Sequence, residues 1–215
     1  MSKIRIVIAD DHEIVRQGLK TLLETDGCEV VGEYSSGREA VEGVNATRPE
    51  VAVLDISMPE LNGVDATQQI LRQHPDVKVI ILTMHDSEEL ARKVLEAGAR
   101  GYVLKSDAVR DLSNAVRTVQ KGQPFFSGKI SEMILRGFLS NPNQTQESAI
   151  PQLTAREREV VQLLAEGKSS KEVASILGTS PATVETQRAK IMQKLDLHSV
   201  TDLVRYAIRN HIIEA

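Results

Sequence analysis

Along the first 120 or so positions, apolar residues arrive in two alternating rhythms. Short continuous runs of β-type residues occur at IRIVIA (4–9), EVVGEY (29–34), VAVL (51–54), VKVIILT (77–83) and GYVL (101–104). Between them lie HEIVRQGLKTLLET, GREAVEGVNAT, VDATQQILRQH and SEELARKVLEAG, and DLSNAVRTVQKG follows the last. Leu19, Leu22 and Leu23 keep helical spacing, as do Leu90, Val94 and Leu95. Continuous apolar strands alternating with helices require a sheet covered on both faces. The pattern therefore predicts an α/β unit, a doubly wound, five-stranded parallel sheet with helices on either side. Ligands of such sheets sit beyond the carboxyl ends of the strands, at the topological switch point.

After Gly122 the rhythm changes. KISEMILRGFL (129–139) has room for one further helix, and SNPNQTQESAIPQ (140–152) is polar and unpatterned, as a flexible joint would be. Beyond it every signal is helical. Thr154 with Glu157, Ser169 with Glu172 and Ser199 with Asp202 fit the capping box, and Ser180-Pro181 supplies an N-cap followed by proline. Four helices are expected at 154–166, 169–177, 181–195 and 199–210, with a tight GTS joint between the second and third that marks a helix-turn-helix. The expected organisation is an α/β domain over 1–122, a linker over 123–150 and a smaller all-α domain over 151–215.

Composition narrows the function. Aromatics make up 3% of the chain and Trp is absent, which argues against a binder of single-stranded nucleic acid. The lone Cys28 excludes an internal disulfide and a multi-cysteine zinc site, and reads as a small buried hydrophobe. No apolar run approaches membrane-spanning length, and the N-terminal stretch is too short for a signal peptide, so a cytoplasmic protein with no membrane partner is expected. The chain carries a net −4, whereas residues 151–215 hold nine basic and eight acidic side chains. An acidic first part and a mildly basic last part point to different partners.

Candidate chemistry falls at the strand ends. Asp10 and Asp11 follow the first strand, Asp55 ends the third, Thr83 closes the fourth and Lys105 follows the fifth. In a parallel sheet these ends share one edge. Converging carboxylates repel one another and raise each other's pKa. A hard divalent cation such as Mg²⁺ relieves that repulsion, and a lysine and a hydroxyl at the same edge add donors for a phosphoryl group. Asp55 is the expected carboxylate nucleophile, kept ionised by metal and lysine.

The segments IADDH, LDISMP, ILTMHD and GYVLKSD resemble the receiver domain of two-component response regulators, a flavodoxin-like fold, over residues 3–121. The resemblance implies that Asp55 accepts a phosphoryl group from a histidine kinase. It implies that Asp10, Asp11, Asp55 and the Ser57 carbonyl hold Mg²⁺, that Thr83 and Lys105 contact the phosphoryl oxygens, and that Tyr102 is a switch residue. Two departures stand out. Ser106 replaces a proline common after the lysine, which leaves the geometry of that peptide bond open, and Met84 is bulkier than usual and is expected to narrow access to the pocket. Ser57 and His85 occupy positions that tune dephosphorylation in the family.

In SPATVETQRAKIMQKL (180–195), Val184, Ile191 and Leu195 share one stripe. Ala182, Thr186, Ala189 and Gln193 lie opposite, with Lys190 and Lys194 on a flank. A helix with an apolar back and a small, polar, basic-edged front fits a major groove, and Glu185 is suited to accept from a cytosine amino group. Residues 153–213 resemble the LuxR-type helix-turn-helix domain, and the whole chain resembles the NarL/FixJ class of response regulators. That resemblance implies DNA contacts from Thr183, Glu185, Thr186, Arg188, Ala189, Lys190 and Lys194. It also implies a homodimer on activation, paired half-sites on double-stranded DNA, and RNA polymerase as a further candidate partner. Gln187 stands where a histidine is common, and Asp196 replaces a usual glycine, which is expected to weaken the helix stop. The rival reading is an Mg²⁺-dependent phosphohydrolase with Asp55 as nucleophile. It needs a second carboxylate close behind Asp55, where Ser57 stands. A regulator switched by a small ligand is the other alternative, and the intact Asp, Thr and Lys set speaks against it.

Overall fold

The structure is a computed structural model that describes residues 3–128, 130–132 and 153–214. The chain divides into two compact units, Met1–Pro142 and Asn143–Ala215, each described by itself.

In the first unit, β1 (Arg5–Ala9), β2 (Glu29–Tyr34), β3 (Val51–Asp55), β4 (Lys78–Thr83) and β5 (Gly101–Leu104) alternate with α1 (Glu13–Thr25), α2 (Gly37–Thr47), α3 (Gly63–Gln73), α4 (Glu88–Glu96) and α5 (Ala108–Gln120). All strands are parallel, and β1 sits between β2 and β3, which makes the β1–β3 boundary the switch point. Strand alternation divides the core. Val7, Ala9, Leu54 and Ile81 face α2, α3 and α4, where Ala40, Val64 and Leu90 meet them. Ile6, Ile8, Val53 and Leu82 face α1 and α5, where Leu19, Leu23 and Leu112 pack. Each fully buried Leu or Ile contributes about 1.5–3 kcal/mol relative to exposure, so both faces of the sheet are strongly specified.

The sheet has six strands, not five. β6 (Phe125–Phe126) lies parallel to β5 inside the stretch expected to be linker. Phe125 N–H donates to the Arg100 carbonyl at 2.9 Å, Ser127 N–H donates to the Tyr102 carbonyl at 3.0 Å, and Ile130 is fully buried in the core. Two residues are too few to display a strand period, which is why the pattern missed them. The α/β unit therefore reaches past residue 122. Position 129 and positions 133–152, which include most of the expected further helix and the polar joint, lie outside the described residues.

The second unit contains α6 (Ala155–Ala165), α7 (Ser170–Ile176), α8 (Pro181–Lys194) and α9 (Val200–Arg209), each within a residue or so of expectation. Thr154 with Glu157 and Ser169 with Glu172 form full capping boxes, and Ser180 and Ser199 accept from Thr183 N–H and Asp202 N–H. Such caps are worth about 1 kcal/mol each and fix where the helices begin. Val160, Val161, Leu163, Val173, Val184, Ile191, Leu203 and Ala207 form the core. The turn from α7 to α8 passes through Gly178 at φ 62°, a left-handed position that suits glycine.

Asp196 holds the corresponding position after α8, at φ 52°. Its N–H reaches the Gln193 carbonyl at 3.3 Å and Leu197 N–H reaches that of Met192 at 2.9 Å, so the last carbonyls are capped. The helix stop is intact, because aspartate tolerates the left-handed region better than most side chains.

Candidate functional site

Register brings the first set of residues together. Ala9 pairs with Leu54, so Asp10 and Asp55 leave adjacent strands side by side. Asp55 pairs with Leu82, and Thr83 pairs with Leu104, which carries Thr83 and Lys105 to the same edge. Asp10 is fully buried and Asp55 is 3% exposed. Lys105 Nζ lies 2.8 Å from an oxygen of each, with hydrogen-bond geometry toward Asp55 Oδ2 and as an ion pair alone toward Asp10 Oδ2. The other Asp55 oxygen accepts from Ile56 N–H at 2.8 Å. Asp11 is not the cap of α1, since His12 takes that position and no side chain caps it.

The charges do not balance. Burial raises the Asp55 carboxyl to about 6, and the carboxylates of Asp10 and Asp11 push the same way, against the pull of Lys105. Lysine alone thus leaves Asp55 well above the usual carboxylate range. Burial pushes the Lys105 ammonium down, but Asp10 and Asp55 outweigh it and leave it raised. One ligand atom from each of Asp10, Asp11, His12 and Asp55 lies within 4.8 Å of the others. Among the described residues the buried Asp10 Oδ2 meets the Lys105 ammonium and no other donor. Three carboxylates this close together, two of them buried at strand ends, are what a hard dication takes.

Around the cluster, Thr83 is buried and its Oγ1 accepts from His85 N–H at 3.0 Å. Tyr102 is 1% exposed and its hydroxyl donates to the His85 carbonyl at 3.0 Å. Burial and the nearby Asp86 hold the Tyr102 phenol above its ordinary range, while the Thr83 hydroxyl pulls the other way. Thr83 and Tyr102 therefore grip the two sides of one backbone unit, His85. Met84 stands 71% exposed, with its side chain largely in solvent. Ser57 is half-buried in the loop after β3. The bond after Lys105 is trans, and Lys105–Asp107 form a short 3₁₀ turn.

Two contributors escaped the sequence reading. Arg16 Nη1 donates to the Asp10 carbonyl at 2.6 Å and ties α1 to the end of β1. His12 belongs to the IADDH segment, yet its place among the acids appears only once the turn is built. Its N–H donates to Asp10 Oδ1 at 2.9 Å and its Nδ1 lies 2.8 Å from Asp11 Oδ1.

In the second unit, Val184 and Ile191 are buried, while Thr183, Glu185, Thr186, Ala189 and Lys190 are exposed along one face of α8, with Arg188 half-buried. The expected face exists, with two amendments. Glu185 takes a hydrogen bond from the Ser170 hydroxyl, which joins α7 to α8 and occupies the carboxylate expected to meet a base. Lys194 Nζ sits 2.7 Å from Glu157 Oε2, so this ammonium, expected to meet a phosphate, is engaged at the start of α6. Thr186 donates to the Ala182 carbonyl at 2.9 Å, which leaves its methyl and oxygen lone pairs outward. Gln187 lies at the boundary of the face, and its buried Oε1 has no hydrogen-bond partner.

Comparison with known proteins follows the same division. The family model described as the response regulator receiver domain matches residues 6–117, and that of the bacterial regulatory proteins of the luxR family matches residues 151–207. The oxygen regulatory protein NreC of Staphylococcus carnosus (strain TM300) is 39% identical over 98% of this chain and 100% of its own. The transcriptional regulatory protein LiaR of Bacillus subtilis (strain 168) is 38% identical over 98% of this chain and 99% of its own. Among solved structures, the Salmonella typhimurium RcsB response regulator has a TM-score of 0.64 at 30% identity and covers 98% of this chain and 99% of that one. A structure of the two-component response regulator RcsB in complex with DNA has a TM-score of 0.59 at 29% identity, covering 97% of this chain and 99% of that chain.

Proposed function

Given that the chain belongs to the two-component response regulators of the NarL/FixJ class, with a receiver domain and a LuxR-type DNA-binding domain, we propose that Asp55 is its phosphoacceptor and α8 its DNA-reading helix. The chain is a DNA-binding transcriptional response regulator. The observation that carries the residue assignment is the convergence of Asp10, Asp11, Asp55, Thr83 and Lys105 at one sheet edge, with the Asp55 carboxyl raised to about 6 by burial.

Asp10, Asp11, Asp55 and the Ser57 carbonyl would hold Mg²⁺. When bound, the ion supplies positive charge to the phosphoryl oxygens and lowers the repulsion among the carboxylates. A carboxylate oxygen of Asp55 attacks the phosphorus of a phosphohistidine on the partner kinase, the P–N bond breaks and the imidazole leaves. Lys105 holds Asp55 in place before transfer and pairs with phosphoryl oxygens after it. Thr83 turns its hydroxyl toward the phosphoryl group and gives up the His85 N–H. Because Tyr102 holds the carbonyl of that same residue, the loop and the ring shift together, and α4, β5 and α5 carry the change to a dimerisation surface. Two protomers then present α8 to paired half-sites on double-stranded DNA, in keeping with the RcsB dimers on DNA in a solved structure. Among the described residues no helix is long and apolar enough to cross a membrane.

Acetyl phosphate with Mg²⁺ should add one acid-labile phosphoryl group to the protein and none to Asp55→Asn, as read by intact mass. Undiminished labelling of Asp55→Asn would overturn the assignment.

A further inference from the structure

Resting on the divalent-cation reading of the acidic cluster, we infer that His12 is a nitrogen ligand of this site, which gives it an affinity for borderline transition dications that three carboxylates and a carbonyl would not supply. The geometry comes first. His12 Nδ1 lies 2.8 Å from Asp11 Oδ1 and 3.4 Å from Asp10 Oδ1, and it belongs to the group of four ligand atoms within 4.8 Å of one another. The turn that places it is fixed at both ends. Asp10 is fully buried and accepts from His12 N–H at 2.9 Å, while Arg16 on the first turn of α1 holds the Asp10 carbonyl at 2.6 Å. The His12 backbone is therefore tied to one of the proposed ligands, which sets where its ring can reach.

The chemistry follows from the ligand type. Mg²⁺ takes oxygen and holds its waters, so an imidazole at the edge of the site adds nothing to its binding. Co²⁺ and Ni²⁺ stand higher in the Irving–Williams order and accept imidazole readily. The side chain is 69% exposed, so it can rotate from Asp11 to a shared ion without leaving a cavity. Ligation through Nδ1 would need the tautomer with the proton on Nε2, so the contact with Asp11 Oδ1 would be given up.

Calorimetric titration of the full-length protein with Mg²⁺, and separately with Co²⁺ and Ni²⁺, tests this in wild type, His12→Ala and Asp11→Asn. The expected result is that His12→Ala weakens Co²⁺ and Ni²⁺ by roughly tenfold or more and leaves Mg²⁺ within twofold, with Asp11→Asn weakening all three. Paramagnetic Co²⁺ should also shift the His12 imidazole resonances in wild type beyond those of the other histidines. Equal affinities of wild type and His12→Ala for Co²⁺ and Ni²⁺ would overturn the inference and leave the Mg²⁺ reading standing. Equal weakening of all three ions by His12→Ala would overturn it too, since His12 would then only shape the turn. Failure of wild type to bind any of the ions would remove the cation reading and this inference together.

Discussion

The two units place their charges in opposite ways. In the α/β unit Asp10 and Asp55 are buried at strand ends beside one lysine, and burial, against the pull of that lysine, raises the Asp55 carboxyl to about 6. In the helical unit the face of α8 is exposed, and two acids at helix starts, Glu157 and Glu172, are pulled down, not up. Lys194 followed by Thr154 lowers Glu157, and Ser169 lowers Glu172. Backbone spacing differs in the same sense. A Cβ at Gly63 would fall 2.0 Å from the Asp55 carbonyl oxygen, whereas nothing lies within 4 Å of one at Gly178. The first unit builds its site by enforced proximity of backbone and charge. The second builds its surface on satisfied caps, leaving the side chains of the proposed reading face outward.

The sharpest way to break that contrast is Gly63→Ala. The methyl group would meet a backbone carbonyl that belongs to the Asp55 turn itself, and no side-chain rotation relieves it. The expected loss is about 3 kcal/mol or more of receiver stability, measured by urea unfolding, with loss of Asp55 phosphorylation. A change below about 1 kcal/mol would mean the α3 terminus shifts freely, and enforced proximity would no longer describe the site.

The contrast also governs what the sequence discloses. Buried positions obey periodicity, so five strands, five helices and the order of strand ends follow from the apolar pattern. Asp10, Asp55, Thr83 and Lys105 converge because topology leaves them no alternative. β6 is invisible because two phenylalanines have no period, and it forms only once β5 offers an edge. On the surface, partner choice depends on distance in space. Lys194 meets Glu157 across 37 residues and Ser170 meets Glu185 across 15, and neither pairing has a local signal. The same limit explains His12, whose residue type was visible and whose position required the turn.

A smaller effect sharpens the helical side of the comparison. Asp196 closes α8 at φ 52° with its side chain in solvent, so Asp196→Gly removes conformational strain without removing a packed group. A gain of up to about 1 kcal/mol is expected, visible as a raised unfolding midpoint. The larger conformational entropy of glycine in the unfolded chain opposes it. A loss of stability would show that the aspartate contributes more to the turn than its backbone conformation costs.

The smallest expected effect concerns Lys194, and it decides which lysine meets DNA. Lys194→Met keeps the aliphatic stem and removes the ammonium, so the Glu157 carboxyl should titrate higher, by NMR, while the Thr154 bonds keep it from rising fully. A carboxyl lowered in the folded state contributes stability above its unfolded pKa and loses it as pH falls through the folded value. The cost of Lys194→Met should therefore be about 1 kcal/mol or less near neutral pH, given the partial exposure of the pair. It should fade in acid, once Glu157 is protonated in both proteins. Lys190 is exposed on the same flank, and among the described residues no acid pairs with it. Lys190→Ala should weaken specific and non-specific DNA alike and lower the salt slope of log K by about one per protomer, whereas Lys194→Met should leave that slope nearly unchanged. An equal drop for both would mean that Lys194 abandons Glu157 on the DNA, and that the helical unit exchanges an internal ion pair for a phosphate when it binds.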